Sequence, residues 1–278
     1  MAPEAGRHRL YWLVYRVLLL GMNLLNSLPF PRLSVRVGRD RLYVRTLDRF
    51  LAANLWKLGL AEAHERALME SAVKEGMVAV DVGANIGLHT LALARKVGPR
   101  GRVHALEPDA QNFALLARGV RRAGLAQVRL HPLAAAESAG KALLHRSEGN
   151  QGDHRLAAAE DARATVAIET VTLDELLEKE PRVDFLKIDV QGFEVSAFRG
   201  FKETLRKNPQ IQVLCEVSPE LLRRAGAEPH ELFSILEGSG LAPHAIDARG
   251  ALAPIGEEKA LLAAEAQGYV NLCFKRAL

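Results

Sequence analysis

The sequence predicts an α/β fold, a mainly parallel sheet with helices on both faces, and three observations lead there. From Met77 onward, apolar runs of strand length alternate with longer helical stretches, the pattern of successive βαβ units. The first run ends in a glycine-punctuated loop, Val78-Ala-Val-Asp81-Val-Gly83-Ala84-Asn85-Ile-Gly87. Later runs end in acids, Glu107, Asp189 and Glu216, at the sheet edge where open α/β folds bind ligands.

With 278 residues, 49% of them hydrophobic, the chain is long enough for one large domain with additions. Its net charge of +4 is unevenly spread. Residues 1–57 hold ten Lys/Arg against three Asp/Glu, a balance of +7, which leaves −3 for the remainder. That polarity argues against a nucleic-acid-binding core and for an N-terminal segment that meets something anionic. From Leu10 to Pro29, ten Leu or Val residues at roughly −0.3 to −0.6 kcal/mol each are offset by about +3 kcal/mol for Arg16, before Asn23 and Asn26 are counted. Spanning a bilayer is therefore close to neutral. Arg9, Arg16 and Asn23 recur every seven residues, so a helix over 8–28 gathers them into one polar stripe and lies on a surface. That surface is a membrane, the protein's own core or a partner subunit. No signal-peptide pattern follows.

Beyond Pro31 the pattern changes to alternation, and Gly38-Arg39-Asp40 turns it into a β-hairpin. The predicted domains are therefore 1–46, a basic amphipathic helix and hairpin, and 47–278, the catalytic domain. Residues 47–75 read as helical with a break near Gly59. Strands follow at 77–82, 102–107, 127–131, 183–189 and 211–217, with helices starting near Ile86, Asp109, Thr172 and Phe193. Thr172-Leu-Asp-Glu175 is a capping-box sequence. Two late strands, 241–247 and 268–275, have a short connection that suggests an antiparallel end to the sheet. Residues 141–171 are the least regular part, and Gly149 to His154 reads as a mobile loop over a cleft. The cysteines, Cys215 and Cys273, lie in apolar runs and read as buried reduced thiols of a cytoplasmic protein.

The loop carries the chemistry. Glycine lets backbone N–H groups approach a ligand, but the spacing Asp-x-Gly-x-Asn-x-Gly lacks the three glycines of a dinucleotide loop. A carboxylate at Asp81 suits a cationic ligand, and S-adenosylmethionine carries an ammonium and a sulfonium. Glu107, twenty residues past Gly87, can accept both hydroxyls of a ribose. Ala134, after the third strand, is small enough for an adenine to lie against the backbone. The cofactor-binding candidates are thus Asp81, Gly83, Ala84, Asn85, Gly87, Glu107 and Ala134.

Lys187 and Asp189 alternate onto one side of the fourth strand, and Glu216 stands beside Asp189 if the fourth and fifth strands are neighbours. A lysine so near an apolar strand core needs an anionic partner. The bland alternative is an ion pair that only orders the strand ends. Asp189 and Glu216 alone make a poor Mg²⁺ cage, so no metal is expected. His154 is the best placed histidine, while His89 falls on the helix after the loop. No serine-hydrolase elbow, paired-cysteine motif or phosphate-loop lysine occurs.

Together, Val-Asp81-Val-Gly-Ala-Asn-Ile-Gly-Leu-His-Thr90, Ala-Leu-Glu107-Pro, Val-Thr-Leu-Asp-Glu-Leu176, Leu-Lys187-Ile-Asp-Val-Gln-Gly-Phe-Glu194 and Glu216 resemble the FkbM family of methyltransferases, from about Phe50 to Lys275. The resemblance implies an S-adenosylmethionine-dependent class I methyltransferase. Its sheet has seven strands, the last antiparallel and inserted beside strand five, which puts Cys215 and Cys273 on adjacent strands. It also implies methyl transfer to hydroxyls of sugars, polyketides or other secondary metabolites. The family often has Glu where this chain has Gln191, so one acid of the pattern is missing. For that reaction Asp189 is the expected base, with Glu216 or His154 as alternatives and Lys187 positioning the carboxylates. The competing readings are an NAD(P)-dependent oxidoreductase and a non-catalytic, membrane-attached scaffold of the same fold.

Overall fold

The computed structural model describes residues 34–44, 63–146 and 164–276. The segment 8–28, the first part of the helix expected over 47–75 and the glycine loop with His154 lie outside them. In chain order, β1 (Ser34–Val37) and β2 (Asp40–Tyr43) form the expected hairpin, turning at Gly38. Helix α1 (Ala63–Ala72) leads to β3 (Val78–Val82), α2 (Leu88–Val97), β4 (Arg102–Leu106), α3 (Ala110–Ala123) and β5 (Val128–His131). Three strands then leave the main sheet: β6 (Ala134–Ala135), β7 (Gly140–Arg146) and β8 (Ala164–Val171). The chain returns through α4 (Leu173–Leu176), β9 (Phe185–Ile188), α5 (Glu194–Arg199), α6 (Lys202–Lys207) and β10 (Gln212–Val217). It ends with α7 (Pro219–Arg224), α8 (Pro229–Gly238), β11 (Leu241–Ile246), β12 (Leu252–Pro254), α9 (Glu257–Gln267) and β13 (Val270–Arg276). Among the described residues no helix is long and apolar enough to cross a membrane.

The main sheet runs β12-β11-β13-β10-β9-β3-β4-β5. Strands β3, β4, β5, β9 and β10 are parallel, and β13 is antiparallel beside β10. Seven of the eight strands are those the resemblance implies, and β12 adds an edge strand. From β3 the chain winds outward through β4 and β5, then crosses back to β9 on the other flank of β3. The strand order therefore reverses between β3 and β9, which opens a crevice at their C-terminal ends.

Both faces are covered. Phe198, Phe201, Phe233 and Phe274 pack one face beneath α4–α9. Leu68, Leu93, Leu115 and Leu116 pack the other, beneath α1–α3, where Leu42, Tyr43 and Val44 of the hairpin end join them. Cys215 and Cys273 are buried on adjacent strands, as expected, but each is in register with a leucine, Leu272 and Leu214, so they face opposite sides of the sheet. Burial pushes the Cys273 thiol up to about 12 and raises Cys215 also, which makes both inert as nucleophiles.

Helix starts follow the caps. Asp109 accepts from the N–H groups of Gln111 and Asn112, and the Thr172 hydroxyl accepts from Glu175. Only that half of the capping box forms. Asp174 reaches to another helix instead and accepts from the N–H groups of Glu203 and Thr204 at the start of α6.

Two expectations need correction. Residues 140–146 and 164–171 form a regular antiparallel ladder, with β6 parallel to β8, where the sequence reads as irregular. The β7 register places Leu144 inward with Ile168 while Leu143 is 55% exposed; one apolar face alone, broken by alanines, gives a weak period-two signal. The connection between β11 and β13 is also not short, since it holds β12 and α9. Helix α9 buries only Ala260 and Ala264, and an alanine stripe leaves little helical periodicity to read.

Candidate functional site

Asp81 lies on β3 in register with Lys187 on β9, so both side chains meet across the crevice where the strand order reverses. Asp81 is fully buried and Lys187 is 6% exposed. The Thr90 hydroxyl, on the first turn of α2, donates to Asp81 Oδ2 at 2.6 Å. Asp81 Oδ1 has no hydrogen-bond donor among the described residues, with Lys187 Nζ at 3.9 Å. The ammonium is shared: it also lies 3.7 Å from Asp189 Oδ2 and 3.4 Å from the Gly83 carbonyl. A buried lysine between two carboxylates is held by charge, and removing either partner strands it.

The loop after β3 works differently from what its glycines suggest. The N–H groups of Gly83 and Ala84 donate to the Leu106 carbonyl, that of Gly87 to Ala84, and that of Asn85 to Glu107 Oε2 at 2.8 Å. These donors are consumed inside the fold rather than offered to a ligand. The glycines answer packing: a Cβ on Gly83 would lie 1.9 Å from the Asp189 carbonyl oxygen, and one on Gly87 would lie 2.7 Å from Leu116 Cδ1. Both have positive φ, +77° and +100°, and Asn85 shares that conformation at +50°. Gly83 thus lets the ends of β3 and β9 close on each other. Helix α2 starts at Gly87 without a side-chain cap, so its first turn is where orphan donors remain.

Glu107 is 5% exposed and braces two segments, accepting from Asn85 N–H and, through Oε1 at 2.9 Å, from Asp109 N–H. Desolvation pushes its carboxyl up to about 7, against the pull of those two donors. The expected adenine position, Ala134, starts β6 and is buried by Leu144 and Ile168 of the side sheet. Its methyl packs there.

At the outer end of β9 the polar groups open onto a cleft lined by Glu65, His89, Lys187, Asp189, Glu216 and Asn271. Asp189 and Glu216 are brought together by Gln191, whose amide nitrogen lies 2.8 Å from Asp189 Oδ1 and 3.2 Å from Glu216 Oε1. Gln191 takes φ +53° to do so, and Gly192 follows at +103° under the Leu221 carbonyl. The position where one acid of the family pattern is missing therefore holds a neutral bridge between two carboxylates. Behind them Glu194 is 2% exposed and accepts from Val190 and Gly192 N–H, and burial pushes it up to about 7.

Sequence reasoning missed Glu65, Asn271 and the cleft-lining place of His89. Asn271 on β13 is in register with Glu216 and donates to Glu65 on α1. No local motif marks either residue; the only available signal was that an antiparallel last strand beside β10 brings its first residues to the carboxylate edge.

Residues 81–241 match the methyltransferase FkbM domain. Among curated proteins none matches the chain. Similar solved structures include a protein described as an rRNA-methylase from Clostridium thermocellum, 11% identical, covering 79% of this chain and 96% of its own, with a TM-score of 0.48. A SAM-dependent O-methyltransferase from Thermotoga maritima is 15% identical, with coverages of 89% and 79% and a TM-score of 0.44. TYW2 from M. jannaschii, in complex with AdoMet, is 13% identical, with coverages of 88% and 87% and a TM-score of 0.45.

Proposed function

This chain belongs to the FkbM methyltransferase family, and from that premise we propose that it methylates a hydroxyl on a sugar, glycan or secondary metabolite, with S-adenosylmethionine as donor. Family membership sets aside the oxidoreductase reading. The residues fit such a donor. Asp81 Oδ1 is a buried carboxylate oxygen lacking a hydrogen-bond donor among the described residues, which suits the donor's ammonium. Glu107 is a buried double acceptor, and each of its oxygens keeps a lone pair for a ribose hydroxyl. The uncapped first turn of α2, next to Asn85 and Gly87, suits the donor's carboxylate. When bound, S-adenosylmethionine supplies a methyl group on a sulfonium, with a thioether as leaving group.

The chain's own residues do the rest. A hydroxyl is a weak nucleophile of high pKa, so its proton must leave during or after attack. Asp189 is the proposed base: it faces the cleft, is 31% exposed and spends one oxygen on Gln191. Its other oxygen is the one nearer Lys187. Glu216 is the second acceptor of that proton, one amide away. Lys187 orients Asp189 against Asp81, standing between the two carboxylates. Because such a transfer would need little charge stabilisation, the main task of Lys187, Asp189 and Gln191 would be to align the acceptor hydroxyl.

The observation that carries this reading is the shared Lys187, which ties a buried carboxylate in the crevice to an exposed one in the cleft on the same sheet edge. Incubation with isotopically labelled S-adenosylmethionine and glycans or metabolites of the native host tests it. A hydroxyl-bearing product gaining one labelled methyl supports it, and label found only on nitrogen or carbon overturns it. We also propose the domain division at 46/47, with the N-terminal part as an addition to the catalytic unit.

A further inference from the structure

We propose that the face built from the β1–β2 hairpin and helices α2 and α3 docks on an anionic lipid bilayer. Folding gathers charge that is dispersed in the sequence. Residues 34–44, 88–97 and 110–125 together hold eight Lys or Arg and a single acid, Asp40. Asp40 is 9% exposed and bonded to Arg95, which cancels one cation and leaves a net charge of 8 − 1 = +7 on these segments. Strand β2 lies along α3: the Arg41 carbonyl approaches Gly119, and the Arg118 guanidinium stacks over Tyr43 at 4.2 Å from the ring centroid. This leaves Arg36, Arg39, Arg41, Arg121 and Arg122 exposed on a surface interrupted by no other carboxylate of these segments.

A bilayer fits this face better than a nucleic acid. Among the described residues none of the exposed large hydrophobic side chains lies on it, and its one tyrosine is buried beneath Arg118, so these segments offer bases no exposed tyrosine to stack on. The apolar stretch Leu10–Pro29, with Trp12, ends four residues before β1 begins. In the sequence an apolar stretch thus adjoins a basic face, and one apolar anchor plus one basic patch is the two-signal arrangement that holds a protein on a membrane. Arg95, Lys96, Arg121 and Arg122 occupy the last turns of α2 and α3, at the sheet edge opposite Asp189. Docking there leaves the cleft uncovered.

The test is sedimentation of the full chain with phosphatidylcholine vesicles, with and without a third of phosphatidylglycerol. Binding to the anionic vesicles only is expected, and it should fall steeply as salt approaches about 1 M, where screening acts within roughly 3 Å. Arg36→Glu/Arg39→Glu and Arg121→Glu/Arg122→Glu should each weaken it by about tenfold or more, with unchanged melting curves. Should the α3 pair fail to fold, the hairpin pair, whose side chains are exposed, decides alone. Equal binding to neutral and anionic vesicles overturns the proposal, as does full binding by a folded hairpin variant. Binding of a single-stranded RNA probe through these arginines in the absence of vesicle binding also overturns it.

Discussion

Asp81 and Asp189 stand on neighbouring strands, 3.9 and 3.7 Å from the same ammonium, yet one is fully buried and the other 31% exposed. Around Asp81 the groups are fixed by backbone: strand register, the Thr90 hydroxyl, and a loop whose N–H groups are satisfied within the fold. Around Asp189 they are side chains from several elements, held by one glutamine amide and by Asn271 to Glu65. The buried half has little freedom and so suits an unvarying cofactor. The open half can change by single substitutions, which suits the acceptor side of the proposed reaction.

That contrast can be broken first at Gly83, the hinge between the halves. Gly83→Ala adds a methyl 1.9 Å from the Asp189 carbonyl at a φ of +77°, and overpacking with backbone strain should destabilise by roughly 3 kcal/mol or more. Gly124→Ala, at φ +66° with open space around it, should cost only about 1 kcal/mol. Urea melts of the two separate packing from strain, and equal losses would show that the close approach is unimportant.

Next in size is turnover. Asp189→Asn keeps the shape and the Gln191 contact but removes the proton acceptor, and kcat should drop by about 10² to 10⁴. Normal turnover removes Asp189 from the mechanism.

A smaller effect belongs to the buried half. Glu107 ionises only near pH 7, raised from 4.5 by burial, whereas a ligand hydroxyl prefers the carboxylate. Below pH 7 binding must therefore expel a proton. Affinity for S-adenosylmethionine should rise by up to about tenfold from pH 6 to pH 8 and then level off. Calorimetry with Glu107→Gln should give weaker binding without that slope; an unchanged slope assigns it to another group.

The smallest effect is expected at Gln191. Gln191→Ala loses two hydrogen bonds to half-exposed carboxylates, about 1 kcal/mol in a thermal melt. Gln191→Glu puts a third negative charge beside Asp189, which favours the protonated form. The acid limb of the pH–rate profile should move to higher pH, and a shift the other way contradicts the bridge.

The same contrast explains what could be read from the sequence. Residues 78–90 form one continuous stretch, so strand, loop and helix start announce Asp81, the glycines and Asn85 together. Lys187 and Asp189 follow from strand alternation. The reason for the glycines could not be read, because the atoms they avoid belong to Asp189 and Leu116, far along the chain. Asn271 joins the cleft only through the order β13-β10-β9 and meets Glu65 of α1 there, while His89 enters from the first turn of α2, and each looks ordinary where it stands. At Ala134 the methyl packs against a side sheet that weak alternation concealed, which leaves its backbone as the surface the expected adenine would meet.

The division between the halves is tested most directly by titrating S-adenosylmethionine calorimetrically into Asp81→Ala and Asp189→Asn, each checked for a native melt. The buried half should own the cofactor: Asp81→Ala loses measurable binding, while Asp189→Asn binds as the parent does. Parental affinity in Asp81→Ala, or an equal loss in both, would contradict the account.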